Sequence, residues 1–506
     1  MPLARLFSVS FLGLETIAVE VEVDTHFAER PSVMIVGLPD NAVREAKDRV
    51  MTAVKNSGFQ IGSLACTVNL APAHLKKEGA LYDLPIAIGL IQSCGAHGRK
   101  MHFDDFLCVG ELALSGEIRP IRGALAIAMA AKEWGKKGVL LPNANVAEAQ
   151  LVEGIEVIGL AHLKEALAFL STPQEHPQPQ RTPPVRIPSP PSVDLADIKG
   201  QSQAKRALEI AAAGGHNLLL CGPPGSGKTL MAKALLGILP PLTAEEALEV
   251  TRIYSIAGLL PNKESLLQER PFQAPHATVS YAGMVGGGTR PKPGAISLSH
   301  HGILFLDELP EFSRQVLEAL RQPLEDRQIT ISRSQGSCLF PANVMCVAAM
   351  NPCPCGYLGH PKKPCKDSPL QVNRYRAKIS GPLLDRLDMQ LFVPPVPPQE
   401  LMGYKTAEPS ASVRERVSRA RELQRQRNGK TNALLKPDEL KRFCGLSPSL
   451  ISLLHQAAST LSLSARGTDK VLRMARTLAD LADLPSIQEE HVLEALSFRE
   501  ASFHEN

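Results

Sequence analysis

Residues Val19–Asp24 alternate apolar and acidic side chains with period two, the pattern of a half-buried strand, and the surrounding Ile17–Val23 is read as one. Val33–Val36 and Cys66–Leu70 read as further strands, and Gly138–Leu141 as a buried strand stopped by Pro142. Between them, Ala42–Ser57 carries Val43, Ala46, Val50 and Val54 at helical spacing with Gly58 just beyond its end. Ile86–Ser93, Ala124–Trp134 and Leu163–Leu170 also look helical, so the pattern predicts an α/β domain over residues 1–170. A change comes at Pro173–Pro191, where eight of 19 residues are proline. That composition cannot form a core and predicts a semi-extended linker over residues 171–193.

Beyond the linker, Ser202–Ala213 reads as a helix, His216–Cys221 as a strand and Leu230–Leu236 as a helix after a glycine-rich loop. The apolar runs Ile303–Leu306, Val344–Ala349 and Met389–Val393 read as buried strands, giving a second α/β domain over residues 194–395. Pro394, Pro395, Pro397 and Pro398 break this pattern. Residues 396–506 then read as helical: Val413–Gln426, Pro437–Cys444, Ser447–Leu461, Asp469–Leu484 and Glu489–Phe498.

Composition changes this picture little. The chain has 506 residues, 44% apolar and 21% charged, enough for several cores. Lys plus Arg total 55 against 51 Asp plus Glu, a net +4, so any nucleic-acid site must be a local patch. Apolar stretches such as Gly123–Ala131 fall far short of the ~20 residues that span a bilayer. Arg5 and Leu6–Leu14 mimic a signal peptide, but Glu15 comes next and no small-x-small cleavage site appears, so a cytoplasmic protein is expected. Ten cysteines in so long a chain do not make a disulfide scaffold.

The chemistry begins at Gly222-Pro223-Pro224-Gly225-Ser226-Gly227-Lys228-Thr229, a G-x-x-x-x-G-K-[ST] phosphate loop between a strand and a helix. Its backbone N–H groups and helix N-terminus suit phosphate oxygens, Lys228 the β- and γ-phosphates, and Thr229 a Mg²⁺ ion. About 80 residues on, Asp307 ends the strand Ile303–Leu306, where it can complete the Mg²⁺ shell, and Glu308 beside it can polarise an attacking water. Asn351, after the next strand, could orient that water. Arg386 is either a surface ion-pair residue or, given the phosphate loop, an arginine finger. Arg466, Arg473 and Arg476 sit on or just before an amphipathic helix, as surface charges or as a further γ-phosphate ligand. Cys353-x-Cys355 and Cys365 form a candidate Zn²⁺ site, with Asp367 or His360 as fourth ligand; otherwise they are free thiols in a surface loop.

These elements, in this order, resemble the AAA+ ATPases. Gly286-Gly287-Gly288 and Pro293-Gly294-Ala-Ile-Ser-Leu-Ser-His-His301-Gly-Ile-Leu-Phe-Leu-Asp-Glu-Leu-Pro-Glu-Phe312 narrow the resemblance to the magnesium-chelatase-like branch, as do Ala348-Ala-Met-Asn-Pro352 and Ser380-Gly-Pro-Leu-Leu-Asp-Arg386. With Gly37-Leu-Pro, Asn69-Leu-Ala-Pro72 and Gly214-Gly-His216-Asn217-Leu-Leu, the whole chain is similar to the YifB/ComM family of bacteria. The resemblance implies an ATP- and Mg²⁺-dependent homo-hexameric motor. It would act on single-stranded, double-stranded and branched DNA, beside recombination proteins, in branch migration during natural transformation, and away from membranes. It implies Walker A roles for Lys228 and Thr229, Walker B roles for Asp307 and Glu308, sensor 1 for Asn351, the trans finger for Arg386, and sensor 2 for Arg473 with Arg466 as the rival. It also implies a pore lined by a helix-2 insert over 272–296 and a hairpin over 328–340. Candidate DNA contacts are then Arg290, Lys292 and Arg333, with the cluster Arg374, Arg376 and Lys378 around Tyr375. Where members of the family carry a second Cys-x-Cys, this chain has Cys365-Lys-Asp367.

The N-terminal domain resembles the Lon-protease fold through Pro120-Ile-Arg-Gly-Ala-Leu125 and Val139-Leu-Leu-Pro142. Leu125 stands at the lysine position and no serine lies between Ser63 and Ser93, so a Ser–Lys dyad is not expected. A magnesium-chelatase-type subunit driving metal insertion or protein remodelling is the competing expectation.

Overall fold

The computed structural model describes residues 3–29, 32–62, 64–77, 79–96, 104–172, 193–261, 266–288, 291–333, 336–397, 400, 407–461 and 463–499. The expected linker at 173–191 lies outside them.

The N-terminal unit is built on a seven-stranded mixed sheet. Its spatial order is Ser32–Val36, Leu64–Ala71, Glu15–Phe27, Ala4–Leu12, Phe106–Cys108, Gly138–Pro142 and Glu156–Leu160. The stretch that mimics a signal peptide is the strand Ala4–Leu12, which pairs antiparallel with Glu15–Phe27 through the tight turn at Gly13 and Leu14. Val19, Val21 and Val23 are fully buried, as the period-two pattern requires. Helix Asp83–Ser93 is buried almost all round, including Asp83, whose carboxylate accepts from Arg49 Nε and Nη2, each at 3.0 Å.

The second unit carries a five-stranded sheet whose pairings are all parallel, in the order Phe272–Gln273, Ile303–Leu306, Met345–Met350, Leu218–Cys221 and Met389–Phe392. The central three strands are buried along their whole length, which is why they read as unbroken apolar runs. Phe272 and Gln273 pair with Ile303 and Leu304, so they belong to the core sheet and the expected insert begins later than residue 272. The insert itself comprises helix Tyr281–Val285 and a short ribbon pairing Gly286–Gly287 with Lys292–Pro293. The hairpin pairs Gln328–Arg333 with Gly336–Pro341, and the Ile331 side chain packs against the backbone of Gly286. Insert ribbon and hairpin therefore touch.

Helix Ala244–Ala257 is an addition to the elements expected from periodicity. Its start carries a capping box between Thr243 and Glu246, and Gly258 ends it in the left-handed region. It joins the two units, packing on helix Ala124–Glu133. Glu148 is buried and accepts from both Leu125 N–H and Ser255 Oγ. Arg252 Nη2 donates to Leu14 O at 2.6 Å, and Gly13 lies so close to Cys338 that an added Cβ would meet its Cβ at 2.9 Å.

The C-terminal region is helical: Ser410–Asn428, Pro437–Phe443, Pro448–Thr460, Ala465–Leu481 and Glu489–Ser497. The first packs on Ser202–Gly214 and Lys228–Ile238, and its Gln424 donates to Ala213 O at 3.1 Å. Helix Ala465–Leu481 begins four residues before the expected start because Ser464 caps it, accepting from Gly467 N–H. A buried ion pair, Lys470 Nζ to Asp388 at 3.0 Å, ties it to the core. Among the described residues no helix is long and apolar enough to cross a membrane.

Candidate active site

The parallel sheet sets the geometry. Leu218–Cys221 runs beside Met345–Met350, with Cys221 opposite Met350, so the loop after the first strand meets the loop after the second. Gly225 and Gly227 take positive φ of 78° and 88°, and Gly227 immediately precedes helix Lys228–Ile238. At Gly222 a side chain would meet Val393 O at 2.2 Å. Lys228 is buried: its Nζ donates to Gly222 O at 2.7 Å, Pro223 O at 3.0 Å and Asn351 Oδ1 at 3.3 Å. Burial lowers its pKa, against the opposing pull of Cys221, Asp307 and Glu308.

Thr229 Oγ1 donates to Asp307 Oδ2 at 2.8 Å, which brings together two oxygen donors of the kind that Mg²⁺ takes. Asp307 Oδ1 accepts from Glu308 N–H at 3.0 Å, and Glu308 stands in the left-handed region at φ 51°. Glu308 and Asn351 face a cavity of about 430 Å³ shared with Glu311, Gln371, Arg374 and Lys378. Arg374 and Lys378, read from sequence among the DNA contacts, thus line the cavity beside Glu308, where Lys378 pairs with Glu311 at 3.3 Å. Arg376 Nε donates to Pro352 O at 3.2 Å. Charge alone could not show which way this helix faces.

Arg386, Arg466 and Arg473 lie elsewhere. Arg386 precedes Met389–Phe392, whose Met389 stands opposite Leu218, so it sits at the strand ends away from the phosphate loop. Four residues at ~3.3 Å each separate the two ends by roughly 13 Å. Arg386 pairs with Glu325, and Arg466 Nη2 pairs with the same Glu325 at 3.2 Å. Arg473 Nε donates to Leu435 O at 2.9 Å, while its carbonyl accepts from Thr477, itself bonded to buried His216. Arg466 is therefore the exposed arginine of the helical region that shares Glu325 with Arg386, and Arg473 is held by backbone. The larger cavity, about 600 Å³, also lies at this end of the strands and is lined by Arg270, Arg327 and Arg421.

Cys353, Cys355, Cys365 and Asp367 converge, with ligand atoms all within 4.8 Å of one another. His360 is not among them; its Nδ1 accepts from Lys362 and Lys363 N–H at 3.0 Å each. A second group, Glu249, His300 and His301, also has its ligand atoms within 4.8 Å of one another. His300 Nδ1 accepts from Asn343 N–H, which leaves the proton on Nε2, 3.0 Å from Glu249. Of the DNA candidates, Lys292 is exposed on the ribbon, Arg333 ends the first hairpin strand opposite Gly336, and Arg290 lies outside the described residues.

Three family models match the chain: magnesium chelatase subunit ChlI over residues 194–401, subunit ChlI of Mg-chelatase over 19–145, and the ChlI C-terminal region over 407–499. The chain is 42% identical to competence protein ComM of Haemophilus influenzae, covering 99% of this chain and 98% of that protein. It is 42% identical to the YifB protein of Escherichia coli strain K12, covering 99% and 97%. A shorter match, 32% identical over 28% of this chain and 32% of its counterpart, reaches the Holliday junction branch migration complex subunit RuvB of Synechococcus sp. strain WH7803.

Proposed function

The chain belongs to the YifB/ComM family of magnesium-chelatase-like AAA+ ATPases, and from that premise we propose that it is an ATP-driven motor that moves DNA branch points during homologous recombination. The observation that carries this reading is the division of the hydrolytic groups between opposite ends of one sheet. Lys228, Thr229, Asp307, Glu308 and Asn351 gather at one end, and Arg386 and Arg466 share Glu325 at the other. Arg386 and Arg466 of one copy stand too far from its own phosphate loop to meet a γ-phosphate there; those of a neighbour in a ring can. A homo-hexamer is the assembly we assign, with Arg386 as finger and Arg466, rather than Arg473, as the second trans arginine.

Within each site Lys228 turns from the carbonyls of Gly222 and Pro223 to the β- and γ-phosphates. Thr229 and Asp307 would hold Mg²⁺, which neutralises phosphate charge when bound. Glu308 takes the proton of the attacking water and Asn351 orients it. The touching ribbon and hairpin would bring Lys292 to the pore, with Arg290 and Arg333 as the further contacts that the sequence suggests, and such contacts go to phosphates and not to base edges. The names of the Haemophilus and Synechococcus proteins favour competence and branch migration as the setting; we further assign single-stranded, double-stranded and branched DNA as substrates, the cytoplasm as location and recombination proteins as partners. The N-terminal domain, read as a Lon-like fold without its dyad, turns the face around Leu125 toward the ATPase helix and so organises the motor. The cluster at Cys353 is read as a zinc site.

A magnesium-chelatase-type role is the second reading, favoured by the descriptions of the family models. ATP hydrolysis measured with branched DNA, duplex DNA, unfolded protein and a porphyrin-binding subunit separates the two. Stimulation by DNA, strongest with junctions, is expected; stimulation only by a protein partner would overturn the DNA reading.

A further inference from the structure

The loop that leaves Asn351 gathers three sulfur atoms. The Sγ atoms of Cys353, Cys355 and Cys365 lie 3.4, 3.6 and 3.6 Å apart. That is too far for disulfides, and all ten cysteines are free. A tetrahedron with ~2.3 Å zinc–sulfur bonds has edges of about 3.8 Å, close to this triangle. The fourth corner is Asp367, with Oδ2 at 3.8 Å from Cys365 Sγ. Backbone hydrogen bonds hold the ligands in place: Cys355 N–H donates to Asp367 Oδ2 at 2.8 Å, and Leu358 N–H to Cys353 Sγ at 3.4 Å. Three thiolates and a carboxylate around a divalent ion leave two negative charges, and Lys362, Lys363 and Lys366 lie on the same loop.

The cluster lies on the segment that joins Asn351 to helix Pro369–Arg376, both of which reach the cavity. Cys353 is two residues from Asn351, whose Oδ1 accepts from Lys228 at 3.3 Å. Gly356, at φ 80°, lies against the phosphate loop, where an added Cβ would meet Pro224 Cδ at 2.7 Å. Asp367 leads directly into helix Pro369–Arg376, capped by Ser368, which brings Gln371, Arg374 and Tyr375 to the cavity with Glu308. Arg376 ties that helix back to Pro352 O.

We propose that zinc bound by Cys353, Cys355, Cys365 and Asp367 is a positioning element for hydrolysis, holding Asn351 and helix Pro369–Arg376 in register with the phosphate loop. This rests on the reading of the Glu308–Asn351 cavity as the site of water attack. Without the metal, the loop loses this cross-link, so ATP binding at Lys228 and Thr229 persists while turnover falls.

The test uses the full chain. Metal analysis is expected to give one zinc per chain, lost in Cys353→Ser and Asp367→Ala and kept in Asp367→Cys. Cys444→Ser, at a buried thiol outside the cluster, serves as control. The zinc-free variants are expected to bind ATP within about 3-fold of the parent and to lose at least 10-fold in kcat, with Asp367→Cys near the parent. Chelation of the parent protein should raise hydrogen exchange over residues 351–376, and added zinc should reverse it, which tests the idea even if a variant folds poorly. A full chain with reduced thiols and no zinc would overturn the proposal. So would zinc-free protein with normal turnover while Glu308→Gln is inactive; if Glu308→Gln also turns over normally, the underlying site reading fails instead.

Discussion

Replacing Lys470 by Met should loosen the helical region from the ATPase core. The Lys470–Asp388 pair is less than a tenth exposed on both sides at 3.0 Å. Asp388 also accepts from Asn217 N–H at 2.8 Å. His216 stands 4.0 Å away, but burial pushes its pKa down to about 4, so it is neutral at pH 7 and cannot replace the lysine. Removing one partner of a buried pair costs about 3–5 kcal/mol. At roughly 2 °C per kcal/mol for a unit of this size, the melting transition should fall by about 6–10 °C. Lys470→Met with Asp388→Asn should recover at least half of that loss, because no uncompensated charge remains. Burial raises the Asp388 pKa, but Lys470, His216 and the Asn217 N–H outweigh it, and the folded value lies below the ordinary one. Its contribution is therefore present above the usual carboxylate range and lost as pH falls through the depressed folded value. Arg386 is two residues from Asp388, so the single variant should also lose hydrolysis while keeping ATP affinity. Scanning calorimetry and local hydrogen exchange over Ala465–Leu481 read the effect. A shift under about 1 °C for Lys470→Met would refute the reasoning.

Lys228→Ala should weaken ATP binding by about 10- to 100-fold, as expected for loss of a charged phosphate ligand worth ~1.5–3 kcal/mol, whereas Glu308→Gln should bind normally and turn over at least 100-fold more slowly; labelled-ATP binding and phosphate release check both. Arg386→Ala should fold and bind ATP yet lose most hydrolysis, and mixing it with Lys228→Ala protein should restore part of it, since finger and phosphate loop then come from different copies; no rescue in verified mixed rings would count against a trans role. The N-terminal domain should cleave no unfolded casein, because Leu125 has no amine and its N–H is already bonded to buried Glu148; cleavage abolished by substitutions within residues 1–170 would reverse that assignment.

Burial decides which elements are legible in the sequence. The strands Ile303–Leu306 and Met345–Met350 are apolar because both faces are covered, so their ends, and with them Asp307 and Asn351, can be read directly. Ala4–Leu12 is not legible as a strand: the run can be set aside as a leader because Glu15 follows it, but nothing in it marks its pairing with Glu15–Phe27. Helix Ala244–Ala257 does carry a readable cap in Thr243 and Glu246, a signal that apolar periodicity alone passes over. The placement of Arg473 and Arg466 is not legible, because helix periodicity does not say at which end of a sheet a helix packs. Nor can the lysine and arginines near Tyr375 be assigned a side; charge marks exposure, not direction.

The proposed motor moves DNA branches by hydrolysis at a site completed by a neighbouring copy. Movement of three- and four-stranded junctions should be measured with ATP, with ADP and with the Glu308→Gln protein, alongside DNA binding across a salt titration. Branch movement is expected with ATP alone, and binding should fall steeply with salt and barely change with sequence. Junction movement undiminished with ADP or with Glu308→Gln would contradict it.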